Sequence, residues 1–205
     1  MARVLVLFAH PLLERSRVHR SLIQHVPSGP EVTFHDLYEA YPKLDIDVKR
    51  EQELLLEHDV IVFQFPFYWY STPPILKQWQ DLVLEHGWAY GSTGNALQGK
   101  TFGTILSAGG TEAAYCSAGK NRFTVRQLLA PIEQTAILCG MRYLPPLVIF
   151  GTHVLTEGQI VERGARYRAL LDALVAGEPD EAERTRLAGE ITINRFVSNL
   201  VGTGA

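Results

Sequence analysis

Val4-Leu5-Val6-Leu7-Phe8, followed at once by Ala9-His10-Pro11, is a short unbroken apolar run that stops at a polar turn. Such a run has no polar face to give to solvent, so it fits a strand covered on both sides, as in a parallel sheet flanked by helices. Val60-Ile61-Val62-Phe63 and Leu147-Val148-Ile149-Phe150 repeat the pattern, and Val32-Thr33-Phe34 and Thr101 to Ser107 are weaker versions of it. Helical spacing fills the intervals. Behind a predicted Ser16 cap, Val18, Leu22, Ile23 and Val26 recur until Pro27-Ser28-Gly29-Pro30. Asp47 to Glu57 is a charged crossover helix carrying Leu54, Leu55 and Leu56, and Ile75 to Glu85 puts Leu76, Trp79, Leu82 and Val83 on one face after Pro73-Pro74. Val125, Leu128, Leu129, Ile132, Ala136 and Cys139 form a further stripe, with a kink predicted at Pro131. Glu157 to Ala176 turns Ile160, Tyr167, Leu170, Leu171 and Leu174 inward. Five strands alternating with about five helices predict a doubly wound α/β domain.

The domain is expected to span 1–177. Beyond Gly177, Glu178-Pro179-Asp180-Glu181 marks a break before a C-terminal extension, 178–205, with Ile191, Ile193, Phe196, Val197 and Leu200. The 205 residues carry 19 Lys+Arg against 22 Asp+Glu, a net charge of −3 that leaves no electrostatic footprint for nucleic acid. Cys116 and Cys139 are too few for a disulfide framework and lie in no zinc-ligand spacing, which points to a reducing, cytoplasmic setting. The seven histidines show no ligand spacing, so no metal is expected. The apolar start is interrupted by His10-Pro11 and Glu14-Arg15, reading as a strand rather than a leader, and no run approaches the ~18 apolar residues of a membrane span. Any membrane contact is expected through a partner.

Ligands of open parallel sheets bind beyond the carboxyl ends of the strands, where the order reverses. In the order 2-1-3-4-5, the loops after strands one, three and four converge there. The first, from His10 to Val18, lacks both GxGxxG and GxxxxGK[ST]. It offers His10, the Ser16 hydroxyl and free N–H groups opening a helix, which suit an anion such as phosphate; Ser16 as a simple cap fits equally well. The second is more distinctive, since five of the six residues from Phe65 to Tyr70 are aromatic. Such a loop at a cleft fits a planar ligand, and also fits a subunit interface. The third pairs Gly109-Gly110, which admit a close backbone approach, with Tyr115, a donor suited to developing negative charge, although Gly-Gly alone also makes an ordinary turn.

These motifs resemble the flavodoxin-like NAD(P)H:quinone oxidoreductases, most closely the branch of ancillary flavoprotein subunits of bacterial glutathione-regulated potassium-efflux systems. The likeness rests on His10-Pro11 with Ser16, on Phe65-Pro66-Phe67-Tyr68-Trp69-Tyr70-Ser71-Thr72-Pro73 with Leu76-Lys77 and Trp79, and on Ser107 to Gly110 with Tyr115. It continues through Asn121-Arg122-Phe123-Thr124 to Cys139-Gly140-Met141 and covers residues 2 to about 175. It implies a flavodoxin-like five-stranded parallel sheet in order 2-1-3-4-5 and a homodimer with sites at the interface. It also implies bound FMN, with FAD the alternative, and ping-pong hydride transfer from NAD(P)H to a quinone. A potassium-efflux antiporter at the inner face of the membrane is the implied protein partner. By the same resemblance, His10, Ser16, Arg17 and Val18 would hold the flavin phosphate arm. Pro66, Phe67, Tyr68 and Trp69 would line the ring, and Ser107, Gly109, Gly110 and Tyr115 would close its pyrimidine edge. Tyr115 and Asn121 stand at the catalytic positions. Mammalian-type quinone reductases carry a histidine where Asn121 stands. An amide positions but does not relay a proton near neutral pH, so Tyr115 is left as the charge-stabilising donor. The preference between NADH and NADPH stays open, with Arg17, Lys120 and Arg122 the candidate contacts to a 2′-phosphate. Cys116 is expected to be an unreactive loop thiol.

Overall fold

A computed structural model describes residues 1–177, so the expected extension at 178–205 lies outside the described residues. The sheet order is β2-β1-β3-β4-β5, with β6 also pairing β4, and every pairing is parallel. The strands are β1 (Val4–Phe8), β2 (Val32–Asp36), β3 (Val60–Pro66), β4 (Thr101–Ala108), β5 (Arg142–Tyr143) and β6 (Leu147–Phe150). The expected 2-1-3-4-5 sheet is therefore present, but its last position is shared by two short strands. Pro145-Pro146 separates them, because neither proline can donate to the ladder from β4.

Strand alternation explains the unbroken apolar runs. Leu5 and Leu7 of β1 enter one core with Phe63, Phe65, Trp79 and Leu106, while Val4 and Val6 enter a second with Val62, Ile105, Tyr167 and Leu171. Helices α1 (Arg17–Ile23) and α7 (Glu157–Ala176) supply buried residues to the second core. Helices α3 (Val48–Glu57), α4 (Pro74–Val83) and α6 (Ala130–Leu138) supply the first. Short α2 (Leu37–Ala40) and α5 (Val125–Leu128) complete the helices.

Local chemistry sets the boundaries. Ser16 caps α1 by accepting from the His19 N–H at 3.1 Å, and Asp47 caps α3 through Arg50 N–H. Thr156 and Gln159 form a capping box that starts α7 at the expected place. The helix expected to kink at Pro131 is instead divided: α5 ends at Leu128, and α6 restarts with Pro131 in its first turn, where no N–H is needed. Leu82, expected on the apolar face of its helix, is 41% exposed, and Leu56 is 53% exposed. Leu82 lies at the edge of the arc defined by Leu76, Trp79 and Val83, and three successive leucines cannot share one helix face, so Leu55 alone of its three is fully buried. Among the described residues no helix is long and apolar enough to cross a membrane.

Candidate active site

Because β2 and β3 lie on opposite sides of β1, the connections leaving β1 and β3 part at that point and open a crevice beyond the strand ends. A cavity of about 470 Å³ occupies it, within the usual range for small-ligand sites. Nine of the twelve expected cofactor residues line it: His10, Ser16, Arg17, Val18, Pro66, Phe67, Tyr68, Ser107 and Gly109. Leu12, Arg15, Thr152 and His153 complete the wall. The last two belong to the loop after β6, a fourth connection at the same end of the sheet that the sequence reading left out. Their signal was position alone, directly after a strand neighbouring β4.

Trp69, Gly110, Tyr115 and Asn121 stand outside this lining. The Tyr115 ring lies 6.2 Å from Phe67, which lines the cavity, and 5.6 Å from Phe150, and the Tyr70 hydroxyl donates to Asn121 Oδ1 at 3.2 Å. That bond ties the second loop to the third. Burial, with the Tyr70 phenol nearby, pushes the Tyr115 pKa up, so the phenol keeps its proton near neutral pH. Cys116 donates to Ala113 O, and Lys120 and Arg122 are exposed away from the cavity.

The aromatic loop turns sharply. Ser71 N–H donates to Tyr68 O at 3.0 Å, and both residues between, Trp69 and Tyr70, have left-handed backbones with φ of 50° and 63°. This is the pattern of a type I′ turn, normally given to Gly or Asn, and each bulky residue held there costs about 1–2 kcal/mol. Trp69 is 93% exposed and recovers nothing by packing. Bent this way, the loop leaves the Trp69 and Tyr70 N–H groups without an acceptor among the described residues.

Electrostatics differ along the cleft. Arg17, expected at the phosphate arm, donates to Glu157 Oε1 at 2.6 Å and to Leu155 O at 3.1 Å, so its side chain is committed to the start of α7. Arg15 on the cavity wall makes no ion pair among the described residues and is the available cation. His10 Nδ1 accepts from Leu12 N–H at 3.2 Å, and burial lowers the His10 pKa against the opposing charge of Glu14. Behind it His19 is fully buried, its pKa brought down to about 3 by burial and by the neighbouring His10, and its Nε2 lies 2.9 Å from Ser107 Oγ.

A planar ligand with an anionic arm fits these residues. The lining brings together the free N–H groups of Arg17 and Val18, the cation Arg15, the aromatic residues Phe67 and Tyr68, and Ser107. A Cβ added at Gly109 would lie 2.7 Å from His153 Nε2, so a side chain there would displace the His153 ring on the cavity wall. Among the described residues no cluster of three or more His, Cys, Asp or Glu could hold a metal.

The pattern of the family described as "Flavodoxin-like fold" matches residues 2–171. The chain is 46% identical over 165 residues, 80% of itself and 84% of its relative, to NAD(P)H oxidoreductase YdeQ of Bacillus subtilis (strain 168). It is 43% identical over 177 residues, 86% of itself and 96% of its relative, to the glutathione-regulated potassium-efflux system ancillary protein KefG of Cronobacter sakazakii. Among solved structures, general stress protein 14 of Treponema denticola in complex with FMN is similar at 40% identity and a TM-score of 0.80, over 84% of this chain and 99% of that one. An NADPH-quinone reductase from P. pentosaceus is similar at 32% identity and a TM-score of 0.75, over 86% of this chain and 99% of that one.

Proposed function

The chain belongs to the flavodoxin-like NAD(P)H oxidoreductase family, and we propose that it is an FMN-dependent enzyme passing a hydride from NAD(P)H to quinones or similar electrophiles. The observation that carries this reading is the convergence of nine expected cofactor residues on one cavity, together with the FMN held by a structure 40% identical. FMN, when bound, would accept two electrons as hydride and release them to a second substrate.

The residues of this chain do the rest. Ser16, the free N–H groups of Arg17 and Val18, and Arg15 would receive the phosphate arm, with His10 walling its path. Pro66, Phe67 and Tyr68 would flank the ring, while the strained turn offers the Trp69 and Tyr70 N–H groups to ring heteroatoms. Ser107, Gly109 and Gly110 would close the pyrimidine edge. Tyr115, protonated, would donate to negative charge arising there, with Asn121 holding Tyr70 in place. One cleft serving both substrates implies a ping-pong order, in which oxidised nicotinamide leaves before the quinone enters.

We read the functional unit as a homodimer. Tyr68, Trp69, Tyr70 and Phe123 are 47%, 93%, 46% and 54% exposed on two loops joined by the Tyr70–Asn121 bond. An apolar rim beside a cleft fits a second subunit closing the site. Rapid mixing tests the reaction directly. NAD(P)H alone should bleach the bound flavin, and a quinone added afterwards should restore its colour; a requirement for both substrates at once would exclude ping-pong transfer.

The likeness to the potassium-efflux ancillary protein favours a second reading, in which the chain regulates a membrane potassium/proton antiporter and quinone reduction is secondary. Co-purification with an antiporter from native membranes supports it, and recovery of free dimer alone opposes it.

A further inference from the structure

Four polar side chains link α7 to the cleft, and the His10 ring lies 5.1 Å from the His19 ring among them. Tyr167 Oη donates to Gln64 Oε1 at 2.7 Å, Gln64 Nε2 lies 3.5 Å from His19 Nδ1, and His19 Nε2 lies 2.9 Å from Ser107 Oγ. Tyr167, Gln64 and His19 are fully buried, and Ser107 is 8% exposed, where it lines the cavity. We propose that Tyr167, Gln64 and His19 are positioning residues that hold the Ser107 hydroxyl as a hydrogen-bond donor into the cleft.

The direction of the chain follows from its buried end. A tyrosine hydroxyl carries one proton, and Gln64 Oε1 is the acceptor that Tyr167 meets among the described residues. Reversing the Gln64 amide would leave that proton buried and unsatisfied, which is strongly disfavoured. With Oε1 occupied by Tyr167, the Gln64 NH₂ faces His19 Nδ1, which must then carry a lone pair. The single ring proton of neutral His19 is therefore on Nε2, pointing at Ser107 Oγ. Burial keeps the ring neutral. Ser107 accepts from His19, so its own proton turns toward the cavity. The ligand atom received there must be an acceptor. Resting on the reading that the cleft holds FMN, this atom belongs to the ring edge that gains negative charge on reduction, and the donor favours the reduced form.

Two measurements test this on the full-length protein. Long-range ¹H–¹⁵N correlation of the histidine rings, recorded without flavin, should show His19 as the Nε2–H tautomer; an Nδ1–H tautomer overturns the proposal. Redox titration of bound FMN should then compare the wild type with Tyr167→Phe, Ser107→Ala and the double variant. Each single variant is expected to lose about tenfold in affinity for reduced relative to oxidised FMN, a fall of about 30 mV in the two-electron potential. The double variant should fall no further than Ser107→Ala alone. An unshifted potential in Tyr167→Phe, or additive shifts, overturns the chain. A wild-type protein that binds no FMN refutes the functional reading instead, while the tautomer still decides the direction of the hydrogen bonds.

Discussion

Tyr115 packs against Phe67 of the cavity wall, and an added Cβ at Gly110 would stand 3.0 Å from its ring. If its proton stabilises charge in the reaction, Tyr115→Phe should slow flavin reduction by about 10- to 1000-fold with FMN occupancy retained. Rapid mixing with NAD(P)H reads this, and an unchanged rate removes Tyr115 from the chemistry. Trp69 tests the strained turn. Trp69→Gly relieves a left-handed backbone and sacrifices no packing within the chain, so the apoprotein should be as stable as the wild type or more stable by up to about 1 kcal/mol, while FMN occupancy falls as the subunit contact that closes the site weakens. Urea midpoints and absorbance ratios check the pair; a less stable apoprotein with retained flavin would contradict the strained-turn reading. His10, Ser16 and Ser107 were legible because each stands at the end of a recognisable strand or the start of a helix. Arg15 was not, since nothing in sequence says that Arg17 would turn to Glu157 and leave Arg15 unpaired. Gln64 and His19 occupy slots of apolar segments, and their link to Tyr167 spans the tertiary fold.

Continuous apolar runs revealed β1, β3 and β6 because a strand covered on both faces needs no polar residue. The two-residue β5 carries no such signal, and it exists because Leu144 N–H donates to Phe102 O before the paired prolines interrupt the edge. The division of α5 from α6 had a visible cause in Pro131, but its size depended on how Leu129 packs. A carboxylate unites elements on the other face. Glu51 of α3 accepts from Tyr41 at 2.6 Å, from Trp79 of α4 at 2.7 Å, and lies 2.8 Å from His35 of β2. Burial pushes this carboxyl up, yet the bonds from His35, Tyr41 and Trp79 outweigh it and hold the pKa below the ordinary 4.5. A carboxyl depressed on folding adds stability above its unfolded pKa and loses it as pH falls through the folded one. Glu51→Gln should therefore cost about 1–3 kcal/mol near neutral pH, and the deficit should shrink as the medium is acidified below 4.5. Denaturant midpoints across that range check the slope; a deficit that does not change with pH contradicts it.

The described residues form one sheet with a separate core on each face. We accordingly expect a chain ending at Gly177 to keep its melting temperature and flavin binding, and a fall in either would move the domain boundary into the extension. The aromatic rim predicts self-association, readable by sedimentation, with Trp69→Gly weakening it. The functional reading depends on the cleft between β1 and β3 being a flavin site. The most direct test is titration of the apoprotein with FMN, followed by flavin fluorescence and by mass measurement of the released cofactor. One FMN should bind per chain, with Ser16→Ala and Gly109→Ala weakening it; a protein that takes up neither FMN nor FAD would contradict the account.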